Sequence, residues 1–150
     1  MKIDRLTPDD WATFRDVRLK ALADAPHAFS TKLETESLLD ETRWRTKLAT
    51  RAQFVARDAG VVGTAGAYRE GDSMELISMW VAPVARHKGV GAALVTRVIE
   101  HARESNSKLV VLRVRVGNDS AERLYARLGF VRTGVHVDDG ELEAEMVKAL

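Results

Sequence analysis

The stretch from Trp80 to Val95 constrains this chain more than any other part of its sequence. It reads as the end of a buried strand, a short basic loop containing glycines, and the first turns of a helix. Residues 76–81 are apolar and β-prone apart from Ser78, and Pro83 ends the ladder because it has no N–H to donate. From Val90 the apolar residues Val90, Leu94, Val98 and Ala102 recur at every fourth position, with Arg97, Glu100, His101 and Arg103 between them. This is the stripe of an amphipathic helix turned toward a core. Gly89 and Gly91 free the intervening backbone of Cβ atoms, so several N–H groups can converge on one ligand. The helix N-terminus adds roughly half a positive charge at that point, and Arg86, His87 and Lys88 add more. The stretch therefore points to a phosphorylated ligand, with a pyrophosphate the best match. Two phosphate-binding motifs are excluded by spacing. Leu94 stands where the dinucleotide fingerprint needs its third glycine, and no G-x-x-x-x-G-K-[ST] run occurs.

The rest of the chain limits the possible functions. A length of 150 residues suits a single domain over 1–150 that buries roughly two-thirds of its unfolded surface. The formal net charge of +1 gives no global field for nucleic acid, so any basic patch must be local. With no cysteine, disulfides, thiolate metal sites and a Cys nucleophile are all ruled out. Four scattered histidines supply no metal-ligand spacing, and no metal is expected. No apolar run approaches the ~20 residues of a membrane span and no signal-peptide core is present, so no membrane association and a cytoplasmic location are the expectation.

Element by element, a first strand at 2–6 leads to Thr7-Pro8-Asp9-Asp10, a strong helix start. The helix carries a core stripe of Trp11, Phe14, Val17 and Ala21, and Asp24-Ala25-Pro26 breaks it. Residues 27–36 read as a loop and 37–49 as a second helix. Strands at 53–57, 61–68 and 74–82 form a meander, the first two joined by Asp58-Ala59-Gly60. A helix at 89–104, a central strand at 108–116, a short helix capped around Asn118-Asp119-Ser120, and strands at 130–136 and 142–148 follow. Gly129 suits the position after that short helix, where φ is positive. The predicted order is β-α-α-β-β-β-α-β-α-β-β, an α/β chain with a mixed sheet and helices on both faces. The helical crossover makes the strands at 74–82 and 108–116 parallel neighbours.

Two clusters together carry a family resemblance. Arg86-His87-Lys88-Gly89-Val90-Gly91 matches the pattern [RQ]-x-x-G-x-[GA] between a strand and a helix. Asn118, followed by Tyr125 and then Leu128-Gly129-Phe130, matches the second signature at the end of the next strand. The chain thus resembles the GNAT superfamily of acyl-CoA-dependent N-acetyltransferases over about residues 75–130. The resemblance implies that the two central parallel strands splay apart and that acetyl-CoA, as co-substrate, lies in the gap. It also implies that the backbone of Met79, Trp80 and Val81 holds the pantetheine arm and that the amides from His87 through Lys88, Gly89, Val90 and Gly91 to Ala92 hold the pyrophosphate. The side chains of Met79 and Trp80 also read as core and substrate wall, and Asn118 either as a pantetheine contact or as a plain helix cap.

By the same resemblance Tyr125 is the general acid that protonates the departing CoA thiolate, since a phenol near pKa ~10 can donate to a thiolate near ~8.5 at modest cost. A core position on its helix stripe is its alternative. A backbone N–H near Val81 could polarise the thioester carbonyl. Counting back from Met79, Glu75 stands where the histone-acetylating branch carries its base. In the ribosomal-protein N-terminal branch the base lies on the following strand, where this chain has Arg113. That departure argues against the second branch's chemistry. Glu34 and Glu36, in the loop 25–36 expected to wall the acceptor pocket with the turn 137–141, are further candidates.

The expected activity is transfer of an acetyl group from acetyl-CoA to a primary amine of a small molecule or peptide. Its rivals are a regulatory module that binds acyl-CoA without turnover, and a nucleic-acid module built on Arg113, Arg115, Arg123 and Arg127. Balanced charge and the absence of any reader motif argue against the latter. A homodimer is an expectation drawn from the family alone.

Overall fold

The computed structural model describes residues 1–26 and 32–150. Its seven strands are β1 (Lys2–Leu6), β2 (Ala52–Arg57), β3 (Val61–Glu70), β4 (Ser73–Val81), β5 (Leu109–Arg115), β6 (Val131–Asp138) and β7 (Leu142–Ala149). Its helices are α1 (Trp11–Asp24), α2 (Leu33–Glu36), α3 (Glu41–Thr50), α4 (Val90–Glu104) and α5 (Asp119–Arg127). One sheet runs in the order β1-β2-β3-β4-β5-β7-β6, and among the described residues the only parallel pair in it is β4 with β5. The predicted α/β order holds, with one short helix added. α2 lies inside the segment read as a loop, of which residues 27–31, including His27, lie outside the described residues.

Local signals placed the boundaries well. At the start of α1, Pro8–Asp10 forms a 3-10 turn, and Asp10 reaches back to accept from the Thr7 N–H at 2.8 Å. The second long helix begins later than its pattern suggested, at Glu41, because Asp40 caps it by accepting from the Arg43 N–H at 2.9 Å. Gly129 takes the expected positive φ, +97°, after α5.

The sheet carries a core on each face. On one, Phe54, Leu76, Val110, Leu112 and Phe130 pack with Leu94, Val95 and Val98 of α4 and Tyr125 of α5. On the other, Phe14 and Val17 of α1 and Trp44 and Leu48 of α3 pack with Val55 and Trp80. Phe14 meets Trp44 edge-on, with ring centroids 5.4 Å apart. Pairing between β4 and β5 lasts only from Ser73↔Leu109 to Glu75↔Val111, although β4 continues to Val81 and β5 to Arg115. The strands part beyond that point.

The parting has a local cause. Against β3, Trp80 pairs with Thr64 and Ile77 with Gly66, so Ser78 and Met79 together oppose Ala65. This is a β-bulge, and Ser78 adopts φ +53° within it. A bulge bends its strand and sharpens the twist. It also resets the alternation of faces. Met74 and Leu76 point to the α4 side before it, Met79 and Val81 after it, while Trp80 joins the α1–α3 core. Ser78, the one polar residue in the apolar run, marks where β4 bends.

Candidate functional site

The gap between the diverging strands opens into a cavity of about 1140 Å³. Drug-sized ligand pockets span about 300–1,000 Å³, so this one has room for a long cofactor arm together with an acceptor. It passes through the sheet. Residues of β4, β5, α5 and the β4–α4 loop line it, joined by Arg18, Asp24, Ala25 and Pro26 from the first helix and its end.

On the α4–α5 side the lining includes an open strand edge and the loop into α4. Beyond Glu75 the edge of β4 that faces β5 has no partner strand among the described residues, and on its other edge it stays bound to β3, with the Ala82 N–H donating to the Val62 carbonyl at 2.8 Å. The chain then passes through a 3-10 turn (Pro83–Ala85), with His87 at φ +62° and Gly89 at φ +84°, into α4. Left-handed residues of this kind let successive amides converge on one ligand, and the first amides of α4 have no carbonyl to meet within the helix. A Cβ on Gly89 would find no atom within 4 Å, which leaves that approach open. At Gly91 a Cβ would come within 3.1 Å of Leu124 and 3.3 Å of Met79, so glycine there lets α4 sit close to β4 and α5.

The sequence candidates Glu75, Met79, Trp80, Val81, Arg86, His87, Gly89, Val90, Gly91, Ala92, Asn118 and Tyr125 all line this cavity. Lys88 does not. Its side chain borders a separate shallow depression with Met1, Asp58 and Val62, since the left-handed turns on either side swing it away. Arg86 lines the cavity, but its guanidinium is committed. Its Nε donates to the Val81 carbonyl at 3.0 Å and its Nη2 to Asp24 Oδ2 at 2.6 Å. The Trp80 indole N–H donates to the same Asp24 oxygen at 2.9 Å. Asp24 is the last residue of α1, the end of a helix where a carboxylate is disfavoured. The Trp80 hydrogen bond, together with Arg86, holds its pKa below the ordinary value. Sequence reasoning missed this latch between α1 and the glycine loop, and an acid at the wrong end of a helix was its available signal.

Asn118 caps α5, its Oδ1 accepting from the Ala121 N–H at 3.3 Å. Tyr125 is only 7% exposed, set edge-on to Phe130 at 5.9 Å, and burial pushes its phenol up to about 12. Core packing and cavity lining therefore hold for it together.

On the opposite side of the sheet, side chains line the cavity. Alternation puts Glu75 and Arg113 on that face, since Met74, Leu76, Leu112 and Val114 all enter the α4-side core. Partial burial raises the Glu75 pKa above the ordinary carboxylate value. Arg113 opposes the shift, while Glu70, Glu143 and Glu145 add to it. Glu36 is withdrawn as a base. It is 2% exposed and gripped by Arg18, whose Nη2 donates at 2.9 Å and Nε at 3.1 Å. Glu34 is exposed and lies outside the cavity lining. Among the described residues no cluster of three or more His, Asp or Glu could hold a metal ion, and no helix is long and apolar enough to cross a membrane.

The model of the acetyltransferase (GNAT) family matches residues 14–130. The structure of a ribosomal-protein-alanine N-acetyltransferase from Brucella melitensis covers 100% of both chains at 26% identity, with a TM-score of 0.76. A putative acetyltransferase from Salmonella typhimurium, solved with its cofactor acetyl-CoA, superposes with a TM-score of 0.77 at 24% identity, covering 100% of this chain and 94% of its own. An uncharacterized N-acetyltransferase of Methanocaldococcus jannaschii is 39% identical over 56 residues, which is 37% of this chain and 25% of that protein. The chain spans from 25% to 60% of the length of the curated relatives it matches.

Proposed function

The chain belongs to the GNAT acetyltransferase family, and on that premise we propose that residues 1–150 act as one domain that transfers the acetyl group of acetyl-CoA directly to a primary amine. The observation that carries this is the break in pairing after Glu75↔Val111, which opens a strand edge leading straight to the free amides at the start of α4. A pantetheine arm pairs with such an edge as a short strand would, and the amides from His87 to Ala92 receive the pyrophosphate, helped by the helix N-terminus. Arg86 contributes by fixing the loop through Asp24 rather than as a free cation. Asn118 holds the start of α5 and presents its remaining side-chain amide to the arm.

The amine nitrogen attacks the thioester carbon, the C–N bond forms, and collapse of the tetrahedral intermediate breaks the C–S bond. The attacking amine must first lose a proton. Glu75, whose pKa burial raises above the ordinary carboxylate value, takes it directly or through water. Tyr125 donates to the departing sulfur. A phenol near 12 stays protonated at any working pH, and the low-dielectric setting that raises it raises the nascent thiolate in parallel.

Calorimetric titration with acetyl-CoA, alongside free-thiol release on an amine panel, tests this. Binding with amine-dependent thiol release is expected. Binding without release on any amine would leave a regulatory acyl-CoA module, and no binding would overturn the assignment of the Arg86–Gly91 loop.

A further inference from the structure

Three arginines line the cavity from the α1–α3 face of the sheet: Arg18, Arg113 and Arg115. Two are neutralised. Glu36 holds Arg18, and Glu141 lies 3.1 Å from the Arg115 guanidinium. Arg113 forms no hydrogen bond or ion pair with any of the described residues. Its neighbour across the antiparallel ladder is Glu145, a carboxylate well placed to pair with it. That carboxylate accepts instead from Thr133 Oγ1 at 3.0 Å. Arg113 therefore faces the cavity as an uncommitted guanidinium. It stands two residues beyond Val111, the β5 partner of Glu75, on the face that Glu75 shares.

We propose that the acceptor is an amine that also carries a carboxylate a few bonds from its nitrogen, with Glu75 receiving the ammonium end and Arg113 reading the carboxylate. This rests on the acetyltransferase function proposed above. A guanidinium offers a planar fork of donors whose geometry matches a carboxylate's two oxygens. Along a strand, two residues span about 7 Å, and both side chains lean into the widening gap, so the two charges suit a compact ligand rather than a long diamine. A simple cationic amine would meet Glu75 but would also confront an unpaired like charge at Arg113. Free amino acids and the first residue of an acidic peptide share the required chemistry.

The test is thiol release under saturating acetyl-CoA with matched acceptors. β-Alanine, leucine and phenylalanine are each set beside the corresponding carboxamide and decarboxylated amine, and a short peptide beginning with aspartate is set beside the same peptide beginning with asparagine. The carboxylate-bearing member should win by about ten- to a hundredfold in kcat/KM, mostly through KM, as expected for one charge-assisted bidentate contact. A preference confined to the free acids, or to the aspartate peptide, identifies the source of the carboxylate. In Arg113→Gln the ratio within each pair should collapse to about twofold, and Arg113→Glu should invert it in favour of diamines. Thermal unfolding of both variants controls for folding. Equal turnover of charged and neutral members by the unaltered protein, or an unchanged ratio in Arg113→Gln, would overturn the carboxylate assignment while leaving the acetyltransferase intact. Absence of acetyl-CoA binding or of thiol release on every acceptor would overturn both.

Discussion

The two faces of the splayed sheet line the cavity by different means. On the α4–α5 face the lining centres on an open strand edge and the glycine loop of residues 79–92, joined by Asn118, Leu124 and Tyr125. On the α1–α3 face they are side chains from separate elements: Arg18 and Asp24 on α1, Glu75 on β4, Arg113 and Arg115 on β5, and Glu143 on β7. A backbone site is written in one contiguous stretch because peptide groups are the same in every residue, so only the conformation has to be encoded. A side-chain site is assembled across the sheet from residues far apart in the chain. On the function proposed above, the first face takes a constant cofactor and the second a variable acceptor.

Four perturbations test that contrast, from the largest expected effect to the smallest. Tyr125→Phe removes the proton donor proposed above and should lower kcat by about a hundred- to a thousandfold, with acetyl-CoA affinity by calorimetry nearly unchanged. If kcat holds, Tyr125 serves only the core. Glu75→Gln should cost about a hundredfold in kcat/KM at neutral pH. In the unaltered enzyme kcat/KM should rise with pH through an apparent pKa above the ordinary glutamate value, because burial raises Glu75 despite the nearby Arg113. A pH–rate profile that shows this acidic limb unchanged in Glu75→Gln would remove Glu75 from the proton path.

On the backbone face, Gly89→Ala meets no steric obstacle but must hold φ +84°. That strain costs about 1–2 kcal/mol, so acetyl-CoA should bind about tenfold more weakly while the acceptor KM changes little. Equal weakening of both would mean the faces are not separable. Asp24→Asn should have the smallest effect. It loosens the Trp80–Arg86 latch and should raise both KM values about two- to fivefold, consistent with a lost charge-assisted bond that is partly solvated. Asp24's pKa is lowered in the folded state, so its contribution to stability is present above the unfolded pKa and lost as pH falls through the folded one. Unfolding midpoints across the acidic range should show that loss in the unaltered protein and not in Asp24→Asn.

Legibility in the sequence follows the same division. The glycine loop, the α4 stripe, the Thr7–Asp10 start, Asn118 as a cap and Gly129 after α5 all depend on residues within a few positions of one another, and each was readable. Glu75 could be proposed only by counting along a strand from a recognised motif. The α2 turn lay within a stretch without periodicity, and four residues of helix are too few to show one. The direction of the Lys88 side chain, which borders a separate depression, was not readable, because it depends on the left-handed conformations of its two neighbours.

By itself, then, the sequence determined the family, the order of elements, the strand–loop–helix that lines the cavity, and the placing of Tyr125 on a core stripe. These rest on propensity, capping and spacing, which act over a turn or two of chain. Tertiary structure decided that β4 bends at Ser78 and parts from β5, that Arg86 is spent on Asp24, that Glu36 is buried beneath Arg18, and that Arg113 is left facing Glu75. Each joins residues far apart in the chain through register and charge pairing, and a one-residue bulge is enough to reassign which side chains share a face.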